Sequence, residues 1–456
     1  MINYVLQPLK IIIIGNGISG ITSARWIRKL SDHQITVISS ETEYFFSRTA
    51  LMYIYMGHMR KVDTEPYEPY FWKKNRIDLI QDHVTNIDFQ GKTVALQSGS
   101  TQSYDKLIIA TGSQSNKFGW PGQDLDGVGG LYTMQDLDNM EAHSPDLKRA
   151  VIVGGGLIGI EMAEMYRSRD IPVTMLVRED SYWSNILPKE ESQMVSRHIL
   201  DHHIDLRLTY NLGEIVDDGN GKACAVIVKE TGERIECGYV GLTAGVHPNV
   251  SFLKDSELNI EKGIIINNQL ETNVKDVYAI GDCAQLSDPQ PGRRPIEAIW
   301  YTGRMMGEVA ARNICGQGIS YDPGIWFNSA KFLDIEYQVY GDVRATPAEN
   351  HDWIYWEHSD GTKSIRIIYD RENKTILGFN LMGVRYRHEV CEKWLGDKTH
   401  VEEVLENLSL ANFDPEFYAE YESEVISLYN KKHNTSVTKK KKRKLDQVIQ
   451  FLKRSK

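Results

Sequence analysis

Cysteine is sparse in this chain and its spacing excludes a class of chemistry. The five cysteines among 456 residues, Cys224, Cys237, Cys283, Cys315 and Cys391, form no CxxC or CxxxxC pair. A cysteine-built zinc or iron–sulfur centre is therefore excluded, no metal site is expected, and the thiols read as structural groups of a reducing compartment. Long apolar runs are also missing. No stretch approaches the roughly 20 residues of a membrane-spanning helix, and no basic flank with an apolar core and small-residue cleavage site opens the chain. A cytoplasmic protein is expected. The net charge of −10 argues against a nucleic-acid partner and hides an asymmetry: residues 438–456 carry nine Lys or Arg and one acid, Asp446. The body is acidic, most strongly over 401–424, where eight carboxylates occur without a single Lys or Arg. Nucleic-acid binding by the body is excluded on that balance.

What is present is a repeated local order. Residues 10–14 read as an apolar strand, 15–20 as a glycine turn, 21–30 as a helix of apolar periodicity and 34–38 as a second strand. The same order returns at 150–153, 154–159, 160–169 and 172–177. Two βαβ units of dinucleotide-binding type thus lie about 140 residues apart, far too long a period for a solenoid. Short strands are expected around Gly91-Lys92, at 106–109 running into Ala110-Thr111-Gly112, at 206–208, 225–230 and 239–242, and at 277–280 before Gly281-Asp282. Beyond the turn at 321–324 aromatic-rich strands at 338–340, 353–356, 364–369 and 376–381 imply a β-rich domain, closed by helices within 401–430. The fold class is α/β, with two Rossmann-like domains and an α+β C-terminal domain. The expected division is 1–130 with 250–323, then 131–249, 324–432 and a tail from 433 to 456.

Gly15-x-Gly17-x-x-Gly20 sits between strand and helix, where bare backbone can approach a pyrophosphate held at the helix N-terminus. The carboxylate that usually grips the ribose falls near Ser39 and is absent; either Glu41 reaches the sugar or Ser39 does so through water. Gly154-x-Gly156-x-x-Gly159 repeats the device. Its second strand ends Val177-Arg178-Glu179, offering a cation for a 2′-phosphate and a carboxylate for a free 2′-hydroxyl side by side, so NADH and NADPH both remain open. Arg178 is otherwise an ordinary surface charge.

Together with Ala110-Thr111-Gly112, Ala244-Gly245 and the run Thr272 to Asp282, these motifs make the chain resemble the pyridine-nucleotide-linked FAD oxidoreductases over about 8–316, and more loosely beyond it, at 326–331 and 337–341. The resemblance implies FAD on the first unit, NAD(P)H on the second, and Asp282 at the ribityl chain. Thr111, Gly112, Gly281, Glu297 and Trp300 would join the FAD site, and Gly245 the nucleotide site. Disulfide-reducing members carry cysteine near the flavin, but the corresponding Tyr44-Phe45-Phe46-Ser47-Arg48-Thr49-Ala50-Leu51 has none, which excludes a dithiol relay. The remaining likeness is to the relay-free branch: ferredoxin, rubredoxin and nitrite reductase flavin modules and apoptosis-inducing-factor-like enzymes.

The Gly159-Ile160-Glu161 step matches the family position whose carboxylate pairs with a base near flavin N5. Arg48 is the natural partner, and such a pair would keep Glu161 ionised and align the nicotinamide; a plain N-terminal glutamate favoured by the helix dipole is the alternative. Glu297 to Trp300 is expected to open a helix aimed at the flavin pyrimidine, with Trp300 and Tyr301 either covering the ring or filling core. The expected activity passes a hydride from NAD(P)H to FAD and electrons on to an external acceptor, a redox protein or small molecule, in a homodimer. Other readings are a peripheral NADH:quinone oxidoreductase and a flavin-based redox sensor. In the tail Leu445, Val448, Ile449 and Leu452 follow a basic run at helical spacing, so a membrane-surface helix, a solubilising tail or a latch onto the acidic 401–424 stretch are all open.

Overall fold

The computed structural model describes residues 7–413 and 419–440. They fall into two compact units, the first comprising 7–147, 217–223 and 238–323 and the second 148–216, 224–237 and the described residues from 324 onward.

The first unit is built on a parallel sheet in the order Val277–Ala279, Lys106–Ile109, Lys10–Ile14, Gln34–Ser39 and Ile77–Gln81, with Lys10 facing Gln34 in register. Ile11, Ile12, Ile13 and Ile14 are all buried, which is why this strand reads as a continuous apolar run and not as an alternation. The helix Ile18–Leu30 starts three residues earlier than expected. The third glycine of the motif lies inside the helix because its face must meet backbone: a Cβ on Gly20 would stand 2.0 Å from the Gly15 carbonyl oxygen. The helix Trp300–Ile314 packs on this one through Gly303 and Gly307, where a Cβ would come within 2.6 Å of Ser19 Oγ and 2.5 Å of Ser19 O.

The second unit repeats the pattern with parallel strands Ala150–Val153, Val173–Val177 and Asp205–Leu208 and helices Leu157–Arg167 and Lys189–Asp201. The C-terminal region forms a five-stranded antiparallel sheet in the order Phe327–Phe332, Ile335–Gly341, Ile376–Met382, Ser364–Asp370, His351–Glu357. The four strands expected here are each longer than read from sequence, and Phe327–Phe332 is a fifth that was not expected as a strand. Helices His388–Gly396, Val401–Glu406 and Glu422–His433 contribute Trp394, Val401, Val404 and Tyr429 to the core beside that sheet.

A buried ion pair joins elements of this unit that sequence reading left apart. Arg366, only 2% exposed, makes two hydrogen bonds to Glu191 at 2.7 and 2.8 Å, while Glu190 takes a third at 2.7 Å and Asn380 donates to Glu191 at 3.1 Å. Lys439 pairs with Glu420, and Lys440 with Glu406 at 2.7 Å, so the first two lysines of the basic run do latch onto the acidic stretch. Leu445, Val448, Ile449 and Leu452 lie outside the described residues. Among the described residues no helix is long and apolar enough to cross a membrane.

Candidate active site

In the first unit the three glycines of the turn divide three tasks. Gly15 takes φ 111°, and a Cβ there would sit 2.1 Å from Ala110 O, so the turn closes only without a side chain. Gly20 allows the helix to approach the strand. Gly17 has no protein atom within 4 Å of its would-be Cβ, so the space over it is open. Gly17 is also the helix N-cap, with no side-chain cap and no acid in the first turn. The N–H groups of that turn are thus presented to an anion, the arrangement a dinucleotide pyrophosphate requires.

Around this turn the polar groups form a continuous chain. Arg48 grips Glu41 through two hydrogen bonds of 2.9 and 2.6 Å, donates to the Tyr132 carbonyl, and lies 4.7 Å over the Tyr132 ring. The Tyr132 hydroxyl donates to Asp282 at 3.2 Å, and Ser113 Oγ does so at 3.1 Å. Burial pushes the Asp282 carboxyl up from the usual range, while these two donors pull it back. Gly281 at φ 72° brings Asp282 into place with its would-be Cβ only 2.4 Å from Ser19 Oγ. Thr111 and Gly112 are tied to Asn249, by Thr111 Oγ1 to Asn249 O at 2.8 Å and Asn249 N to Gly112 O at 2.9 Å. Ser39 Oγ donates to Asn16 at 2.9 Å.

Several expectations meet a different geometry. The Arg48 guanidinium is engaged by Glu41, a carboxylate seven residues away on the same loop. Glu41, taken up by Arg48 and by the Met134 N–H at 2.9 Å, is a link in that network before any ribose arrives. Glu297 lies before the helix, whose N-cap is Ile299, and its carboxylate is bound by Arg293 with two contacts of 2.6 Å. Trp300, 37% exposed, opens that helix beside Tyr301, with ring centroids 5.5 Å apart. Gly245, at φ 88°, groups with the first unit, its carbonyl accepting from Asn116 N at 3.0 Å.

The second unit repeats the open cap. Gly154 takes φ 127°, Gly156 is the uncapped N-cap with nothing within 4 Å of a Cβ, and no acid occupies the first turn of the helix. Val177 fills the space behind Gly155, 2.7 Å from its would-be Cβ. Arg178 Nε donates to Glu179 at 2.9 Å, the arginine 71% and the glutamate 19% exposed. Glu161 is set among Glu164, Lys331 and Tyr182. Burial first, and then the Glu164 charge, push its carboxyl up to about 7, with Lys331 opposing. It is therefore not the fixed anion expected of an Arg48 pair. Lys331 is instead tied to Glu164 at 2.7 Å. Tyr132 and Glu164 were not singled out from sequence, because neither belongs to a spaced motif, and Lys331 was noted only as the end of the 326–331 segment.

No thiol reaches this chemistry. Cys283 is fully buried, its Sγ 3.3 Å from Ile280 O, and burial raises its pKa. Cys224 and Cys237, thirteen positions apart, face each other across two strands, where burial lifts Cys237 up to about 12.

Residues 9–307 match the family model of the pyridine nucleotide-disulphide oxidoreductases. The chain belongs to that family. Among relatives, the NADH-rubredoxin oxidoreductase of Clostridium acetobutylicum is 30% identical over 74% of this chain and 83% of its own length. The rubredoxin-NAD(+) reductase of Pseudomonas putida is 25% identical over 68% and 80%. The crystal structure of the C. acetobutylicum enzyme matches with a TM-score of 0.68 at 26% identity, over 86% of this chain and 96% of that one. A ferredoxin reductase of Rhodopseudomonas palustris shares the fold, at TM-score 0.74 and 22% identity over 82% and 91%. Within the family this chain is an FAD-dependent NAD(P)H oxidoreductase, and the two open glycine turns fit the two dinucleotides it uses.

Proposed function

We propose that this enzyme takes electrons from NADH and delivers them directly to a small external redox protein, with no sulfur between flavin and acceptor. The observation that carries the reading is the first unit's site. Its glycine turn is open for a pyrophosphate, and the 44–51 segment contributes Arg48, which pairs with Glu41, and no thiol. The names of the relatives, rubredoxin and ferredoxin reductases, support an iron–sulfur or iron–thiolate protein as acceptor. Bound together, the nicotinamide supplies a hydride and the flavin converts it to electrons released one or two at a time. Gly15, Gly17 and Gly20 would hold the FAD pyrophosphate, Asp282 the ribityl chain, and Gly154, Gly156 and Gly159 the nicotinamide dinucleotide. Anaerobic titration with NADH should bleach the flavin, and reoxidation by rubredoxin or ferredoxin should outpace that by a quinone or oxygen. A flavin that stays oxidised would refute the reading.

Glu161 would act as a titrating group near the second nucleotide site. Ionised above about pH 7, it places a negative charge that favours the cationic oxidised nicotinamide. Flavin reduction by NADH should rise through pH 7 in the wild type. In Glu161→Gln it should lose this rise and run about tenfold slower at pH 8, with FAD still bound. The same shift fixes a stability sign. A carboxyl raised from 4.5 to about 7 contributes fully below pH 4.5 and loses that contribution as pH rises through 7. Glu161→Gln should thus be more stable than wild type at pH 8, by about 1–3 kcal/mol after solvent screening, in urea unfolding of the apoprotein.

NADH is favoured because Glu179 both occupies the Arg178 guanidinium and is the less exposed of the two. Glu179→Gln frees the arginine for a 2′-phosphate. The ratio of kcat/KM for NADPH over NADH should rise by about tenfold, equivalent to roughly 1.4 kcal/mol; an unchanged ratio would remove Arg178 from nucleotide selection.

A further inference from the structure

The helix Lys189–Asp201 closes with two histidines one turn apart. His198 lies in its last turn and His202 is its C-cap, so the i, i+4 spacing sets both rings on one face, with centroids 4.3 Å apart. A third group comes from 130 residues further along. The hairpin between Phe327–Phe332 and Ile335–Gly341 turns through Leu333 and Asp334, and the Asp334 carboxylate meets both imidazoles. His198 Nε2 contacts Asp334 Oδ1 directly, and His202 Nε2 lies 3.4 Å from the same oxygen. All three ligand atoms lie within 4.8 Å of one another, and among the described residues this is the one cluster of three His, Cys, Asp or Glu so arranged.

Proton bookkeeping makes the arrangement informative. His202 Nδ1 is 2.9 Å from the His198 carbonyl oxygen, which can only accept, so Nδ1 carries the hydrogen. In the neutral ring Nε2 is then a lone pair, and it faces a carboxylate oxygen that is also an acceptor. Two acceptors aimed at each other need a cation between them, either a proton on the ring or a metal ion. A carbonyl that orients a histidine through Nδ1 and leaves Nε2 for coordination is the outer-shell support found around metal-bound imidazoles. The His202–Asp334 separation of 3.4 Å suits the second solution, since bonds of about 2.0–2.1 Å around a tetrahedral ion place its ligand atoms about 3.4 Å apart, whereas His198 and Asp334, now in direct contact, would have to part by about an ångström to admit the ion. The electrostatics agree, since the C-terminal end of a helix carries negative partial charge and favours a cation. The backbone contributes as well. Leu333, 3% exposed, is held at φ 57°, a conformation leucine seldom adopts, and that turn directs Asp334 to the helix end.

We propose that His198, His202 and Asp334 bind one divalent first-row cation of the zinc type, with water completing its coordination. Two imidazoles and a carboxylate are a borderline nitrogen and oxygen donor set, suited to zinc and poor for calcium or magnesium. Binding displaces whatever proton the cluster shares and leaves one net positive charge. The ion would staple the helix to the hairpin that carries Lys331, three residues before Asp334 and paired with Glu164 at 2.7 Å. The site was not foreseen from the sequence, where the absence of cysteine pairs argued against metal, because its third ligand is supplied by a distant turn.

The full-length, FAD-loaded protein, stripped with chelator and then dialysed against zinc ions alone, should retain one zinc per chain by elemental analysis after gel filtration. Its Tm should rise on adding zinc. His202→Ala and Asp334→Asn change one half-buried and one exposed side chain and should leave the flavin spectrum intact. Each should weaken zinc binding beyond the roughly 10–100-fold lost with an outer-shell partner and abolish the Tm rise. His203→Asn, which removes a neighbouring histidine outside the cluster, should change neither. A wild-type protein that retains no zinc, or a His202→Ala variant that retains as much as wild type, overturns the site.

Discussion

Gly17→Ala is expected to yield a folded protein that has lost its yellow colour. A methyl group at this position meets no protein atom within 4 Å, so the apoprotein should keep its stability to within about 0.5 kcal/mol. The same methyl occupies the space over the uncapped helix N-terminus, where phosphate must come into contact with backbone N–H groups. Gly15→Ala tests the opposite case. It would force a Cβ to 2.1 Å from Ala110 O at φ 111°, which neither the carbonyl nor the strand behind it can relieve. That variant should lose both flavin and fold. The flavin-to-protein absorbance ratio, read beside the unfolding midpoint of the apoprotein, separates the two effects. If Gly17→Ala retains a full complement of FAD, the first glycine turn does not hold the pyrophosphate.

Arg366→Met should be the most destabilising single change outside the glycine turns. Removing the guanidinium leaves Glu191, which is fully buried, without its two charged hydrogen bonds, and breaking one side of a buried pair costs about 3–5 kcal/mol. The Arg366 guanidinium also stacks 4.8 Å from the Tyr355 ring, a contact methionine replaces only in part. Thermal unfolding should therefore begin about 10 °C lower. The double variant Glu191→Leu/Arg366→Met should recover most of the loss, since two apolar side chains of similar volume no longer bury an unpaired charge. Failure of the double variant to recover would mean that the pair is needed for more than charge balance, as the additional bonds to Glu190 and Asn380 allow.

Much of the fold was legible because it rests on local rules. Ile11 to Ile14 had to be an interior parallel strand, and the recurrence of strand, glycine turn, helix and strand had to produce two dinucleotide folds. The helix starts were misplaced by three residues for a simple reason. The motif reads as a turn up to its third glycine, but Gly20 is a helical residue whose missing side chain serves packing and not turning. The C-terminal sheet was visible in its apolar centres, Trp353, Ile367 and Phe379, and its strand ends were not, because ends such as His351, Asp352 and Asp370 are paired by the ladder without any apolar signal in the sequence.

Ionisable partners were the least legible. The Glu41 partner of Arg48 was not expected, although it lies only seven residues away along the same loop. Glu161 was expected to be a permanent anion, yet burial beside Glu164 lifts its carboxyl to about 7. His198 and His202 stood at a readable i, i+4 spacing and meant little until Asp334 met them.

The sequence alone determined the class of chemistry: two open glycine turns call for two dinucleotides, and the absence of cysteine near the first excludes a sulfur relay. Those conclusions depend on spacing and residue type within short segments, which the chain carries wherever it goes. Only the tertiary structure decided which charges are paired and which carboxyl titrates near neutrality. Pairing and desolvation depend on what lies within about 4 Å in space, and groups as far apart as Glu191 and Arg366 have no other way to find each other.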